Sequence, residues 1–274
     1  MPENHLSLPE PPDELLSELK ELAVSVAVGA AHVLVQYSAS DLSDVRTKSS
    51  PTDLVSEADR ASETYITSAL RQARPDDSLL AEEGTRREGK SGIRWVADPL
   101  DGTTNFFFGV PAYSVSLAAQ WHGKTVVGAV VDPSRQETWA AVIGRGAQCN
   151  GKPCRVASGR STLATALVAT GFSYRPERRA VQAAVLAELL PVVRDIRRFG
   201  SAAIDLCWVA AGRYDAYYES WLNDWDWAAG QLICQEAGGS VSMLSQRTLV
   251  ASTPEIHDDL SAALAEGEKK AGLR

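Results

Sequence analysis

The alternation of apolar and polar positions divides the chain into a helical opening, a middle of extended segments, and a closing part where strands and helices alternate. Pro breaks and weak periodicity near the start predict a loose arm over residues 1–14. Residues 13–39 predict a first helix, capped at Asp13 and apolar on most faces beyond Leu22. After an extended segment at VRTKSSPTDLV, the run EADRASETYITSALRQA predicts a second helix. Its expected apolar stripe is Ala61, Tyr65, Ile66, Ala69 and Leu70. From Ser78 the texture changes. SLLAEEG and RWVADPL each predict a short strand entering a turn, and YSVSLAAQW, KTVVGAVVD and ETWAAVIGRGAQCNGKPCRV predict further strands. Trp121–Lys124 and Asn150-Gly151 read as hairpin turns, so this half is expected to be mostly antiparallel.

Beyond residue 160 the strands ATALVATGF, DIRRFG, YDAYYES and SVSML alternate with helices Pro176–Leu190, Ala202–Ala211, Asp226–Ala237 and Pro254–Leu264. Alternation of this kind predicts an α/β half. With no repeat or linker between them, the halves are expected to be subdomains of one domain over 15–265. They would span roughly 15–155 and 156–265, with a tail at 266–274, packed around one site.

Composition narrows the class. With 45% hydrophobic and 23% charged residues in 274, the chain is an ordinary globular one, able to bury a core without staples. Its 27 basic and 35 acidic residues give a net charge of −8, which argues against nucleic acid or an anionic membrane as a bulk partner. Taken alone, that charge also argues against anionic substrates. The cysteines at 149, 154, 207 and 234 form no CxxC pair and suit reduced thiols in the cytoplasm. Four scattered histidines make a His-based zinc site a poor fit. The most apolar run, Leu22–Tyr37, is short for a span, carries Ser25, His32 and Gln36, and follows an acidic flank. A buried helix is expected there, with neither export nor a membrane span.

The most informative string is WVADPLDGTTNF at 95–106. An apolar strand delivers Asp98 at its end, Pro99 holds the chain extended, and Asp101-Gly102 allows a tight turn. The pattern places two carboxylates beside free backbone N–H groups of Gly102, Thr103 and Thr104, suited to a phosphate. An isolated Asp-Gly pair is an ordinary β-turn. An EF-hand would need a side-chain oxygen where Leu100 stands. Aspartyl-phosphate phosphatases space their two Asp by one residue, whereas two residues separate Asp98 from Asp101, so Asp98 is not supported as a nucleophile. Three more acidic positions accompany the string. Glu82 ends SLLA, Asp226 opens a helix in DWDWAAG, and Asp59 lies in TDLVSEAD. Each alone reads as a solvated turn, a first-turn helix carboxylate or an exposed helical carboxylate. Together, hard oxygen donors without His or Cys suit Mg²⁺ or Mn²⁺.

These strings resemble the inositol monophosphatase family. KSSPTDLVSEAD (48–59), EEG (82–84), DPLDGTTNF (98–106) and WDWAAG (225–230) occur in that family's order, with supporting agreement at GRGAQCNGKP and RRFGSAAIDLCWVAAGRYDAYYE. The resemblance implies a layered αβαβα sandwich, usually a homodimer, and a Mg²⁺-dependent, Li⁺-sensitive phosphatase using two or three ions. It implies Glu82, Asp98, Asp101, Asp226 and the Leu100 carbonyl as metal ligands. Asp59 and Thr103 would orient and help deprotonate the attacking water, with Glu82 beside them in the catalytic set, and no covalent intermediate would form. Lys48 matches a mobile-loop lysine. Asp101, Gly102, Thr103, Thr104 and Asp226 would hold the phosphate, and Gly200, Ser201, Ala202 and Glu219 the alcohol. Ala81 and Ser56 replace the family's usual Gly and Thr without removing a ligand. Ser220–Asp224 is bulkier and more acidic than expected beside the substrate.

The expected substrate is myo-inositol 1-phosphate. Histidinol phosphate, fructose 1,6-bisphosphate and other sugar phosphates are rivals, but Thr104 and Glu219 favour inositol phosphate. Some bacterial members also bind transcription machinery, and here such binding would accompany catalysis because no ligand is lost. Elsewhere Trp225 and Trp227 read as packing and pocket wall, and Phe106–Phe108 as helix packing or a dimer contact. Arg197-Arg198 could make a phosphate patch, but in a strand at least one should point away, so a solvated or interfacial role is favoured, and Asp205 reads as helix surface.

Overall fold

The computed structural model describes residues 11–38, 45–47, 54–159, 162–245 and 247–272. Most of the expected N-terminal arm, the end of the expected tail and Lys48 lie outside the described residues. Helix α1 (Asp13–Ser38) buries Leu16, Leu19, Ala23, Ala27, Ala30 and Leu34, steps of three and four that keep one stripe inward. Each fully buried Leu contributes about 1.5–3 kcal/mol. Short strands β1 (Val45–Thr47) and β2 (Leu54–Ser56) pair antiparallel and lead into α2 (Glu57–Ala73).

The buried stripe of α2 is rotated from the expected one. Ala58, Asp59, Ser62, Glu63, Ile66 and Leu70 face inward while Tyr65 is exposed. Small Ala58 and Ser62 let this helix lie close to the sheet, and Tyr65 covers Gly29 of α1 instead. Two carboxylates therefore sit on a buried helix face.

The large sheet comprises β3 (Ser78–Ala81), β4 (Arg86–Arg87), β5 (Ile93–Asp101), β6 (Ser114–Trp121), β7 (Lys124–Asp132), β8 (Glu137–Val142), β9 (Ala147–Cys149) and β10 (Lys152–Cys154). A short helix, α3 (Thr103–Phe107), follows β5. The strand order is β10-β9-β8-β7-β6-β5-β3-β4, antiparallel except for the β3–β5 pair. His122 and Asn150 take positive φ of 47° and 49° in the two expected hairpin turns.

The small sheet has the order β12-β11-β13-β15-β14, built from β11 (Leu167–Thr170), β12 (Asp195–Arg197), β13 (Ala216–Ser220), β14 (Ser240–Leu244) and β15 (Thr248–Ser252). Strands β12, β11 and β13 run parallel, and β15 runs antiparallel to both its neighbours. Strand β15, wholly buried, is not among the strands expected from the apolar pattern. Four helices complete the half: α4 (Pro176–Leu189), α5 (Ala202–Ala210), α6 (Asp224–Glu236) and α7 (His257–Lys270). Helix α6 begins two residues earlier than the apolar pattern suggests, and a 3-10 turn at Pro254–Ile256 precedes α7.

Three cores separate five layers. The first binds α1 and α2 to one face of the large sheet. The second fills the space between the sheets with α5 and α6. The third packs α4 and α7 on the outer face of the small sheet. The order is αβαβα, as the resemblance implied. Gly128 of β7 makes the tight middle layer possible, since a Cβ there would come within 2.7 Å of the Ala229 carbonyl on α6. Among the described residues, no helix is long and apolar enough to cross a membrane.

Candidate active site

Strand β5 runs on past Asp98 to Asp101, and a bulge between them decides the site. Asp98 pairs with Ser116 and Asp101 with Ser114, so three steps on β5 face two on β6. Without the extra residue, positions three apart would point to opposite faces. With it, Asp98 and Asp101 share the face turned toward α5 and α6. Pro99, lacking an N–H, fits where ladder pairing lapses. Its carbonyl instead accepts from Ser62 Oγ of α2 at 2.7 Å.

Hydrogen bonds hold three of the four carboxylates in place. Asp98 Oδ1 accepts from the Leu100 N–H at 3.0 Å. Asp101 Oδ2 accepts from Ser201 Oγ at 2.6 Å and from Ala203 N at 2.7 Å. Asp226, the third residue of α6, takes the Asn223 N–H on Oδ2 at 2.6 Å, a capping arrangement that turns the carboxylate back over the helix start. Glu82 follows the end of β3, beside the carbonyl end of β5. The turn after it is held by Glu63 of α2, which accepts from the N–H groups of Glu83 and Thr85 at 2.8 and 3.2 Å.

Gly102 links the acidic strand to α3 at φ 94°, a left-handed conformation. A Cβ there would lie 2.9 Å from the Ala112 carbonyl, so both torsion and space call for glycine. Thr103 is buried and donates its hydroxyl to the Leu100 carbonyl at 3.0 Å. Pairing with Asp59 therefore requires that hydroxyl to leave the carbonyl. Asp59 is fully buried in the first turn of α2. Asn105 Nδ2 ties α3 to the Phe199 carbonyl at 2.6 Å, drawing the Gly200–Ala202 segment against the Gly102 turn.

A cavity of about 440 Å³ opens over this face. Glu82, Asp101, Gly102, Gly200, Ala202, Glu219 and Asp226 line it, whereas Asp98, Leu100, Thr103 and Ser201 are buried. Thr104 is half-buried beside it and donates to Tyr174 Oη at 3.5 Å. Lys48 lies outside the described residues. Trp225 forms part of the cavity wall, as expected.

The electrostatics single out the same groups. Burial, then the charges of Glu82, Asp101 and Asp226, push Asp98 well above the carboxylate range. Burial and the Glu82 charge do the same to Asp226. Burial lifts Asp101 to about 6 against the hydrogen bonds from Ser201 and Ala203. Glu219 rises to about 7 through burial, opposed by the Tyr217 hydroxyl, which donates to it at 2.7 Å. Among the described residues, no three His, Cys, Asp or Glu side chains are drawn together as a closed metal cage would need. What the carboxylates share is electrostatic coupling across one wall. An all-oxygen donor set whose members repel one another fits Mg²⁺ or Mn²⁺ on charge and on ligand chemistry.

Three residues stand differently from what the sequence suggests. Asp205 is buried, not on a helix surface, and the charges of Glu219 and Asp101 add to the burial that raises it. Arg198 lines the cavity, because β12 ends at Arg197 and the chain turns there. Arg197 points away and pairs with Asp195 at 2.6 Å. Glu63 is absent from the expected site, although its place four residues after Asp59 puts both on one helix face. Of the aromatic run, Phe106 packs edge-on against Tyr113 while Phe107 and Phe108 are exposed.

Comparison with known proteins agrees with the fold. The chain is 46% identical over 235 residues to an inositol-1-monophosphatase of Mycobacterium leprae, covering 80% of this chain and 81% of that one. It is 42% identical over 252 residues to a protein named Nus factor SuhB from Pasteurella multocida, covering 88% and 93%. The crystal structure of the extragenic suppressor protein suhB from Bartonella henselae superposes with a TM-score of 0.86 at 36% identity, covering 91% and 99%. Mycobacterium tuberculosis SuhB gives 0.81 at 40%, covering 94% and 98%. The model of the inositol monophosphatase family matches residues 15–270, and the chain belongs to that family.

Proposed function

We propose that the chain is a Mg²⁺-dependent phosphomonoesterase that hydrolyses myo-inositol 1-phosphate to inositol and phosphate. The observation that carries this reading is the acidic lining formed by Glu82, Asp101, Asp226 and Glu219, with the buried Asp98 coupled by charge to the first three. Glu82, Asp98, Asp101, Asp226 and the Leu100 carbonyl would hold two or three Mg²⁺, with Mn²⁺ as a substitute. Bound there, the ions supply positive charge that polarises the phosphate and lowers the cost of a leaving alkoxide.

The chain's own groups do the rest. Asp101 is held through Oδ2 by Ser201 and Ala203. The first turn of α3 presents the N–H groups of Gly102, Thr103 and Thr104, which lack intrahelical partners, to the phosphate oxygens. Thr103 and Asp59 orient the attacking water and take its proton, Asp59 from a fully buried position. Glu219, fixed by Tyr217, accepts hydroxyls of the alcohol alongside Gly200–Ala202. The exposed Phe107, Phe108 and Val110 suit a second copy of the chain, and we read the enzyme as a cytoplasmic homodimer.

The test is phosphate release from a panel of phosphomonoesters with Mg²⁺, with Mg²⁺ plus Li⁺, and without metal. Metal-dependent, Li⁺-sensitive release from inositol 1-phosphate is expected. No metal-dependent release from any ester would sink the enzyme reading. Much faster release from histidinol phosphate would move only the substrate. The relatives named Nus factor support a second reading, in which a transcription-related interaction accompanies catalysis.

A further inference from the structure

We propose that Thr248 and Glu268, which lie outside the cavity, are positioning residues that fix Ser220 and through it set the selectivity for the alcohol. The proposal rests on the phosphomonoesterase reading and concerns the wall on which Glu219 stands.

The alternation of β13 sends its side chains to two destinations. Tyr217 packs in the core between the sheets, and Tyr218 in the core with α4 and α7. Glu219 shares the first face and lines the cavity, where the Tyr217 hydroxyl donates to it. Ser220 is also among the lining residues, but its side chain shares the second face. Its hydroxyl lies 2.7 Å from Thr248 Oγ1, the residue opposite it on the last rung between β13 and β15.

Thr248 in turn donates to Glu268 Oε1 of α7 at 2.5 Å, and Ser245 donates to Oε2 at 2.6 Å. A carboxylate only accepts, and a hydroxyl has one proton to give. Thr248 gives its proton to Glu268, so Ser220 must be the donor to Thr248. The chain of bonds therefore has one direction, from the cavity wall to a buried acid. Thr248 and Glu268 are both buried. Among the described residues Glu268 has no basic partner, and the neighbouring Lys269 and Lys270 pair instead with Glu266 and Glu188. A carboxylate buried without a cation is costly to the fold. What this one does is hold two hydroxyls in fixed places.

Ser220 is gripped where the wall has least support. It ends β13, so no further rung of that strand lies beyond it. Trp221 follows at φ 66°, uncommon for an aromatic residue, and its N–H donates to the Arg247 carbonyl at 2.9 Å. Gln182 of α4 adds a second hold. It accepts from the Ser173 N–H at 2.8 Å and donates to the Ser220 carbonyl at 3.4 Å. From Ser220 to Asn223 the chain lines the cavity as far as α6, where Asp226 keeps its own capping bond. Slackening Ser220 therefore displaces Glu219 and Trp221 and leaves the carboxylates of β5 where they are. The loss falls on binding of the alcohol and spares the reacting phosphate.

The test uses the full chain with Mg²⁺ and two esters, inositol 1-phosphate and 4-nitrophenyl phosphate, which brings Glu219 no hydroxyl. Thr248→Val keeps the shape and removes the link, and Glu268→Ala removes its end. In both, KM for inositol 1-phosphate should rise about fivefold or more, as the loss of one hydrogen bond gives. Its kcat, and both constants for 4-nitrophenyl phosphate, should stay within about twofold of the parent. Thr248→Ser and Glu268→Gln should behave as the parent does, because each preserves a hydroxyl donating to an acceptor at this place. A merely structural role would lower the melting temperature and move both esters alike, and that result overturns the proposal. So does a parent-like KM in the folded variants. If neither variant folds, Ser220→Ala, which removes only the half-buried start of the chain of bonds, takes their place under the same expectations. Hydrolysis of both esters by the parent, with no selective change in the variants, sinks this inference alone. A parent that hydrolyses only 4-nitrophenyl phosphate overturns the substrate and this inference together. Absence of metal-dependent hydrolysis of either ester sinks the phosphomonoesterase reading beneath them.

Discussion

Asp98 works against the fold and for the site. It is buried among three other carboxylates, whose charges add to burial in raising its pKa, and its ionised form is costly without a cation. Asp98→Asn should therefore act with opposite signs. Metal-dependent turnover is expected to fall by about 100-fold or more, as loss of a ligand does. The metal-free protein should melt higher than the parent, because a neutral side chain of the same shape removes the repulsion. A variant with near-normal activity, or one less stable than the parent without metal, would contradict this. At this scale the sequence is most legible where chemistry is local. Asp98 and Asp101 stand out through the apolar strand before them, the Pro99 and Gly102 turn and the other acidic strings, not through their spacing alone. Arg198 and Asp205 are misleading in sequence because their surroundings come from distant segments. A strand ending at Arg197 and a helix roofed by the small sheet leave no trace in the residues beside them.

Among the elements, α2 connects fold and site. Its first turn carries Asp59, and one turn later Glu63 holds the turn after Glu82 through the Glu83 and Thr85 N–H groups. Glu63→Gln puts an amide where two acceptor oxygens met donors, and should cost about 1–3 kcal/mol, read from the denaturant midpoint. If the clamp positions Glu82, the same variant will also show a smaller rise in melting temperature on adding Mg²⁺. An unchanged metal response would make Glu63 purely structural. The limits of α2 are legible because its periodicity is strong and a β-strand precedes it. Its inward face is not, because small and polar residues make the contact and the large Tyr65 lies outside. Strand β15 is hidden for a related reason. Five wholly buried residues show no alternation, and the strand's partners lie 28 or more residues away in β13 but only a turn away in β14.

For the whole molecule, the acidic site is expected to make stability depend on pH and metal together. Asp101 and Glu219 keep their protons up to about 6 and about 7, above the ordinary carboxylate range. Because the folded state binds these protons more tightly than the unfolded chain, their contribution is complete below that range and is lost as pH rises through those values. The metal-free protein should accordingly melt lower at pH 8 than at pH 5.5. Saturating Mg²⁺ should abolish or reverse that trend, because cations bind the ionised carboxylates. Thermal melts at both pH values, with and without metal, check this, and a metal-free melting temperature that rises with pH would contradict it. The net charge of −8 is thus concentrated in part where it is useful, so it excludes bulk polyanions without excluding a small phosphate ester. The five layers also divide the labour of the site along the chain. On the proposed reading, the groups assigned to hydrolysis come from the large sheet and from α2 and α3 beside it, apart from Asp226, and those assigned to the alcohol come from segments after residue 170. The chain passes from one sheet to the other once, between β10 and β11. On that reading, a chimera exchanged at this crossing would swap the proposed recognition half while keeping most of the proposed reacting groups.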